Sequence, residues 1–153
     1  MSLRVELTGT DEVRAMFRRL AAPLQREALA ATAEDARDYV RDESGKHTRP
    51  LGSGMLEASR YLRQVGPLAF EVGHDTKIAK HAEYVIHGTR PHLIKPKAGS
   101  GKKSLRFAHG NGWVFAKVVH HPGYKGDNWM QRAAQRAPID FARHVARIVA
   151  RET

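Results

Sequence analysis

Between Ile86 and Lys125 the chain carries eight Lys or Arg residues and no Asp or Glu, and glycine or proline interrupts the same stretch at short intervals. The cations are Arg90, Lys95, Lys97, Lys102, Lys103, Arg106, Lys117 and Lys125; the interruptions include Gly88, Pro91, Gly99, Gly101, Gly110, Gly112, Pro122 and Gly123. A segment punctuated this densely is limited to turns, loops and short strands. It also supplies 8 of the net +10 charges of the chain. Charge divides the sequence unevenly: residues 11–43 hold six basic and eight acidic side chains, or −2, whereas residues 45–125 hold fourteen basic and four acidic, or +10.

The flanks of this block read differently. Val13, Met16, Phe17 and Leu20 recur at helical spacing behind Thr10 and Asp11 as candidate caps, so a first helix is predicted from about Asp11. Pro23 either kinks that helix or opens a second one, which carries Leu24, Ala28, Ala31, Tyr39 and Val40 and ends near Ser44-Gly45. At the other end Met130, Ala133, Ala134, Ala137, Phe141, Val145, Ile148 and Val149 form a helical stripe, with Asp127-Asn128 as caps and Pro138 as a candidate kink. Between them, Tyr61–Val65 and Ala69–Val72 predict a hairpin around Gly66-Pro67 after a loop over Lys46 to Gly54. Leu93 and Ile94 support only a brief strand, and Leu105–Phe107 and Trp113–Val119 flank His109-Gly110-Asn111-Gly112, where Asn-Gly predicts a tight reversal. The expected fold class is α+β: N-terminal helices, a short antiparallel sheet with a long basic hairpin loop, and a C-terminal helix. A chain of 153 residues closes one ordinary core, so residues 4–153 are read as one domain, with 4–44 helical, 54–125 mainly β and 127–151 helical.

Several kinds of chemistry lack their residues. There is no cysteine, hence no disulfide framework and no thiolate nucleophile or ligand. Of nine histidines, His87 with His92 and His120 with His121 are the closest to a metal grouping, but no HExxH or paired Cys/His spacing occurs. Adjacent His120 and His121 would face opposite sides of a strand. A magnesium-dependent nuclease needs acids near its phosphate, and the nearest are Glu71, Asp75 and Glu83, with no close pairing. The run from Gly99 to Ser104 has lysine and serine after glycines, yet its glycine spacing is not that of a phosphate-binding loop and strand-like Leu105-Arg106-Phe107 follows it; it is read as a flexible tip. No catalytic, cofactor-binding or metal-ligating residue is therefore assigned. No run approaches the roughly 18 apolar residues of a membrane span, and Met1-Ser2-Leu3 reads as a vector-derived leader without a signal-peptide pattern. Nucleic acid is the remaining anionic partner: Trp113, Phe107 and Tyr124 are available to stack on bases, although Trp113 and Phe115 alternate with Val114 and Ala116 as in a packed strand. Helix-turn-helix, RNP and KH patterns are missing.

A family resemblance goes further than spacing. Ala82-Glu83-Tyr84-Val85-Ile86-His87-Gly88-Thr89-Arg90-Pro91-His92, then Ile94-Lys95-Pro96-Lys97, Leu105-Arg106-Phe107, Val114-Phe115-Ala116-Lys117, His121-Pro122-Gly123 and Asn128-Trp129-Met130 stand in an order that resembles the family named after gene product ten of an HK-type lambdoid phage. Gly54, Leu56 and Ser59 are similar to an upstream element of that family, and the helical N-terminal third fits in pattern only. Where such proteins often carry an acid and an aromatic before Gly-Thr, this chain has Ile86 and His87. The resemblance implies a small structural protein of tail completion or head–tail joining, not an enzyme and without cofactors. It implies assembly with copies of itself into a ring in the virion neck, next to head-connector and tail-terminator or tail-tube proteins, after synthesis in the bacterial host cytoplasm. The motif and charge residues singled out are Gly88, Thr89, Arg90, Pro91, His92, Lys95, Lys97, Lys102, Lys103, Arg106, Pro122 and Gly123, facing either a neighbouring subunit or DNA in the channel. A module binding DNA nonspecifically through residues 86–125 is the alternative.

Overall fold

The computed structural model describes residues 2–4, 11–47 and 54–153. The predicted cap Thr10 and most of the loop before Gly54 lie outside the described residues. Helices occupy both ends and short antiparallel sheets lie between them, so the fold is α+β. Among the described residues no helix is long and apolar enough to cross a membrane.

Helix α1 (Asp11–Arg19) is followed at once by α2 (Ala22–Gly45), with Pro23 in the first turn of α2, where its missing N–H leaves nothing unpaired. Pro23 therefore opens the second helix. The Gln25 side-chain amide donates to the carbonyls of Phe17 and Leu20, which closes the end of α1 against the start of α2. Helix α5 (Trp129–Glu152) runs without a break through Pro138. Its buried residues, Trp129, Met130, Ala133, Ala137, Asp140, Phe141, Val145 and Ile148, fall on one face as a period of 3.6 requires.

That face lies along α2, whose buried Ala28, Ala33 and Ala36 let the two helices approach closely. Three rungs mark their antiparallel register: Arg151 with Glu27, Arg143 and His144 with Asp35, and Arg132 with Glu43. Phe17 meets the Phe141 ring edge to face at 5.1 Å, so α1 covers the far end of the pair with the predicted Val13, Met16, Phe17 and Leu20 stripe.

Strands β1 (Ser2–Arg4), β2 (Arg60–Gly66) and β3 (Ala69–His74) form a sheet in the order β1-β3-β2. Ser2 to Arg4, discounted above as leader and helical margin, thus belong to the sheet and pair with Gly73, Val72 and Glu71. Central β3 packs on α2 and buries Val72, while Phe70 packs against both apolar clusters of the core. Two short helices interrupt the region read as mainly β. In α3 (Met55–Ala58) Leu56 is buried, and in α4 (Ala82–His87) Ala82 and Ile86, four residues apart, are the buried pair. Tyr84, Val85 and Ile86 favour strands in isolation; burial of one helical face overrides that preference here.

Trp129, fully buried, joins these layers. Its indole N–H donates to His74 Nε2 at 3.3 Å, so the His74 proton sits on Nδ1 and points to Ser59 Oγ at 2.9 Å; the Ser59 hydroxyl in turn donates to the Leu56 carbonyl at 2.8 Å. His47, two residues past the end of α2, stacks on the indole, its ring 5.1 Å from that of Trp129. Burial disfavours the imidazolium and holds the His74 pKa at about 4 against an ordinary 6.5. Because the folded value is depressed, the unfolded chain takes up this proton first as pH falls. Stability is lost between pH 6.5 and 4, by about 3 kcal/mol in total at 1.36 kcal/mol per unit. Urea unfolding of the wild type should show this loss, and His74→Gln should be less stable at pH 7 with a flatter profile across that window; a wild-type profile already flat there would contradict it.

Candidate functional site

The predicted motif residues gather where two backbone segments cross. One leaves α4 through Gly88, Thr89, Arg90 and Pro91 into strand β4 (His92–Ile94); the other leaves strand β7 (Val119–His121) through Pro122, Gly123 and Tyr124 toward α5. Thr89 and Tyr124 exchange both backbone hydrogen bonds, at 2.7 and 2.9 Å, and the Asp127 N–H donates to the Val85 carbonyl at 2.9 Å.

Three glycines permit this approach. Gly88, Gly123 and Gly126 all have φ near +80°, with values of 82°, 88° and 79°. A Cβ on Gly123 would sit 2.6 Å from the Thr89 carbonyl oxygen; one on Gly88 would overlap the Tyr124 carbonyl, and one on Gly126 the Gly88 amide nitrogen. Sequence reading singled out the first two and missed Gly126, whose only signal was its position between Lys125 and the Asp127 cap.

Polar side chains hold the crossing to the helical body. Asp127, read as a helix cap, instead accepts from Arg132 and lies 2.8 Å from His47 Nε2, while Asn128 caps α5 by accepting from the Gln131 N–H at 3.0 Å. Arg132 also donates to Tyr39 Oη and to Glu43, and the Tyr124 hydroxyl lies 3.3 Å from His47 Nδ1. Hydrogen bonds from Arg132 and His47 lower the Asp127 pKa to about 2, so this anchor loosens only in the acid range below 3.8, distinct from the His74 window. None of this network was legible from spacing, since His47 and Asp127 are 80 residues apart.

Beyond the crossing the chain forms an arm of two ribbons. Strands β4 and β7 pair His92 with His121, Leu93 with His120 and Ile94 with Val119; the His92 and His121 rings stack at 4.9 Å. His120 and His121 do face opposite sides, and among the described residues no group of three or more side chains is placed to hold a metal. Residues 95–104 then lead into strand β5 (Leu105–His109) and strand β6 (Gly112–Ala116). The glycine- and lysine-rich run is thus a connection between ribbons and not the tip assigned to it. The tip is Gly110-Asn111, with positive φ at Gly110 (57°) and none at Asn111, the pattern of a type II′ turn with the special conformation on the other glycine than Asn-Gly spacing implies. The predicted strand Trp113–Val119 is broken at Lys117-Val118 into β6 and β7.

The ribbon strands pack on each other and make no comparable set of contacts with the helices or the three-stranded sheet. Lys95, Lys97, Lys102, Lys103 and Arg106 are all exposed, and among the described residues none of the eight cations of the segment forms an ion pair. Trp113 and Phe115, read as alternating like residues of a packed strand, do alternate but point outward, at 59% and 64% exposure. Leu93, Phe107 and Val118 are exposed as well.

A cleft of about 440 Å³ is lined by Ser59 and His74 together with Arg60, Arg63 and Lys77. The Ser–His contact is wired against nucleophilic catalysis: Trp129 occupies the imidazole lone pair, and the Ser59 proton is committed to a carbonyl.

Comparison of the chain with protein-family models, with curated proteins and with solved structures finds no match.

Alanine at Gly88, Gly123 or Gly126 should destabilise the protein by about 3 kcal/mol each, combining left-handed strain with backbone overlap. Gly99→Ala and Gly101→Ala also have positive φ but open space around them, and should cost only the left-handed strain, about 1–2 kcal/mol, in the same denaturation series.

Proposed function

We propose that the chain is a structural virion protein of a long-tailed phage or prophage, acting in tail completion or head–tail joining as one subunit of a ring at the neck. The observation that carries this reading is the anchored arm. It extends two ribbons whose outer edges have no partner strand among the described residues, and it exposes large apolar side chains beside lysines that form no ion pair among those residues. Open edges and exposed apolar surface are a liability in a free monomer and are expected where a neighbouring molecule completes them. A rigid base suits the purpose, because a ring closes only if each subunit presents its contact at a fixed angle.

The motif order from Gly54 to Ala134 supports the setting, since in this fold its Gly-Thr-Arg-Pro-His and His-Pro-Gly phrases are the crossing itself. Copies of the chain are then its first partners, with head-connector and tail-terminator or tail-tube proteins above and below, and it passes from the host cytoplasm into the virion neck. Its chemistry is that of contact and not of catalysis.

Electron microscopy of the purified protein over a range of concentrations should show closed rings, and mass spectrometry should find the chain in purified particles of its phage. Leu93→Asp with Ile94→Asp should abolish both while leaving the melting temperature unchanged. A 17.1 kDa monomer at every concentration, together with absence from particles, would overturn the reading.

A further inference from the structure

We infer that the outer hairpin of the arm, β5 with β6, binds single-stranded nucleic acid by stacking bases on Trp113 and Phe115 beside Arg106. The register puts Arg106 opposite Phe115 and Ala108 opposite Trp113, and directly opposed residues of an antiparallel pair share a face. One face therefore carries two aromatic rings and a guanidinium, whose Cζ lies 4.3 Å from the centre of the Trp113 ring. Trp113 and Phe115 are two residues apart on one strand, about 7 Å, a spacing that one base can enter or that successive bases of an unstacked strand can span.

The other face carries Leu105, Phe107, Val114 and Ala116, with His109 beside the turn and no Lys or Arg, and Phe107 and Val114 are exposed to 39% and 37%. The two faces thus differ in chemistry. Lys103 precedes Leu105 and Lys117 follows Ala116, the terminal pair of the hairpin, so Lys102, Lys103 and Lys117 collect at its base. Rings in the middle of one face and lysines at one end match the two demands of a single strand: planar apolar surface for bases and positive charge for phosphates.

Other occupants fit less well. Duplex DNA keeps its bases stacked inside and would engage only the cations. A lipid surface would be entered tip first, and His109-Gly110-Asn111-Gly112 offers no large apolar side chain to lead.

The protein reports on itself, because of its two tryptophans Trp129 is fully buried and Trp113 is open. Titration of the full chain with oligothymidylate should quench Trp113 fluorescence, and anisotropy of a labelled oligonucleotide gives the affinity. Trp113→Leu with Phe115→Leu should weaken single-strand binding tenfold or more, change duplex binding by less than twofold, and leave the melting temperature unaltered. Lys102→Gln, Lys103→Gln and Lys117→Gln together should weaken both forms and flatten their salt dependence. The inference is overturned if the aromatic double variant affects both forms alike or neither. It is equally overturned if polyglutamate, anionic vesicles or self-association changes Trp113 emission as strongly as oligothymidylate does. It rests on the faces of the hairpin and not on the virion reading: intact rings with no single-strand preference would remove this inference alone.

Discussion

Everything else in the molecule is positioned by the buried junction around Trp129. One side chain, contributed by the first turn of α5, touches His74 from the central strand and His47 from the end of α2, so sheet and helix pair are fixed against each other at a single point. Polar groups so deep are tolerated only when satisfied in sequence, from indole to imidazole to hydroxyl to carbonyl. The same point sets where the arm begins, since Asp127, two residues before the tryptophan, is held by Arg132 and His47.

The arm shows how backbone geometry, and not side-chain burial, can carry a projecting element. Its base is two hydrogen-bonded segments interlocked through glycines that have no room for a methyl group. Its outer parts have no such restraint and no core of their own. Exposed surface is thereby held out on a defined foundation, which is what a contact made with another molecule requires.

Periodicity revealed the parts of the fold that repeat locally. The stripes of α2 and α5 are legible because each helix buries one face, that of α1 because its apolar side packs half-buried against them, and the β2–β3 hairpin and even the three-residue β4 announced themselves by apolar residues between turn formers. Helix α4 stayed hidden because its strand-favouring residues are overruled by packing that only the tertiary fold supplies. The alternation of Trp113 and Phe115 was visible, but alternation says that two faces differ and not which is covered. The motif glycines were legible as turns; that they interlock, with Gly126 as third member, depends on a meeting of residues 88 and 123–126 that no local pattern encodes.

The crossing also has a mechanical consequence. Both strands of the arm leave the body at the same place, one continuous with α4 and the other with α5, and Thr89 and Tyr124 tie them together. A pull on the arm is shared between two covalent backbones, and the Thr89–Tyr124 hydrogen bonds couple them before the load reaches α4 and the first turn of α5, where Ile86 and Trp129 are buried. The arm thus hands its load to the best-buried part of the molecule through two attachments at once.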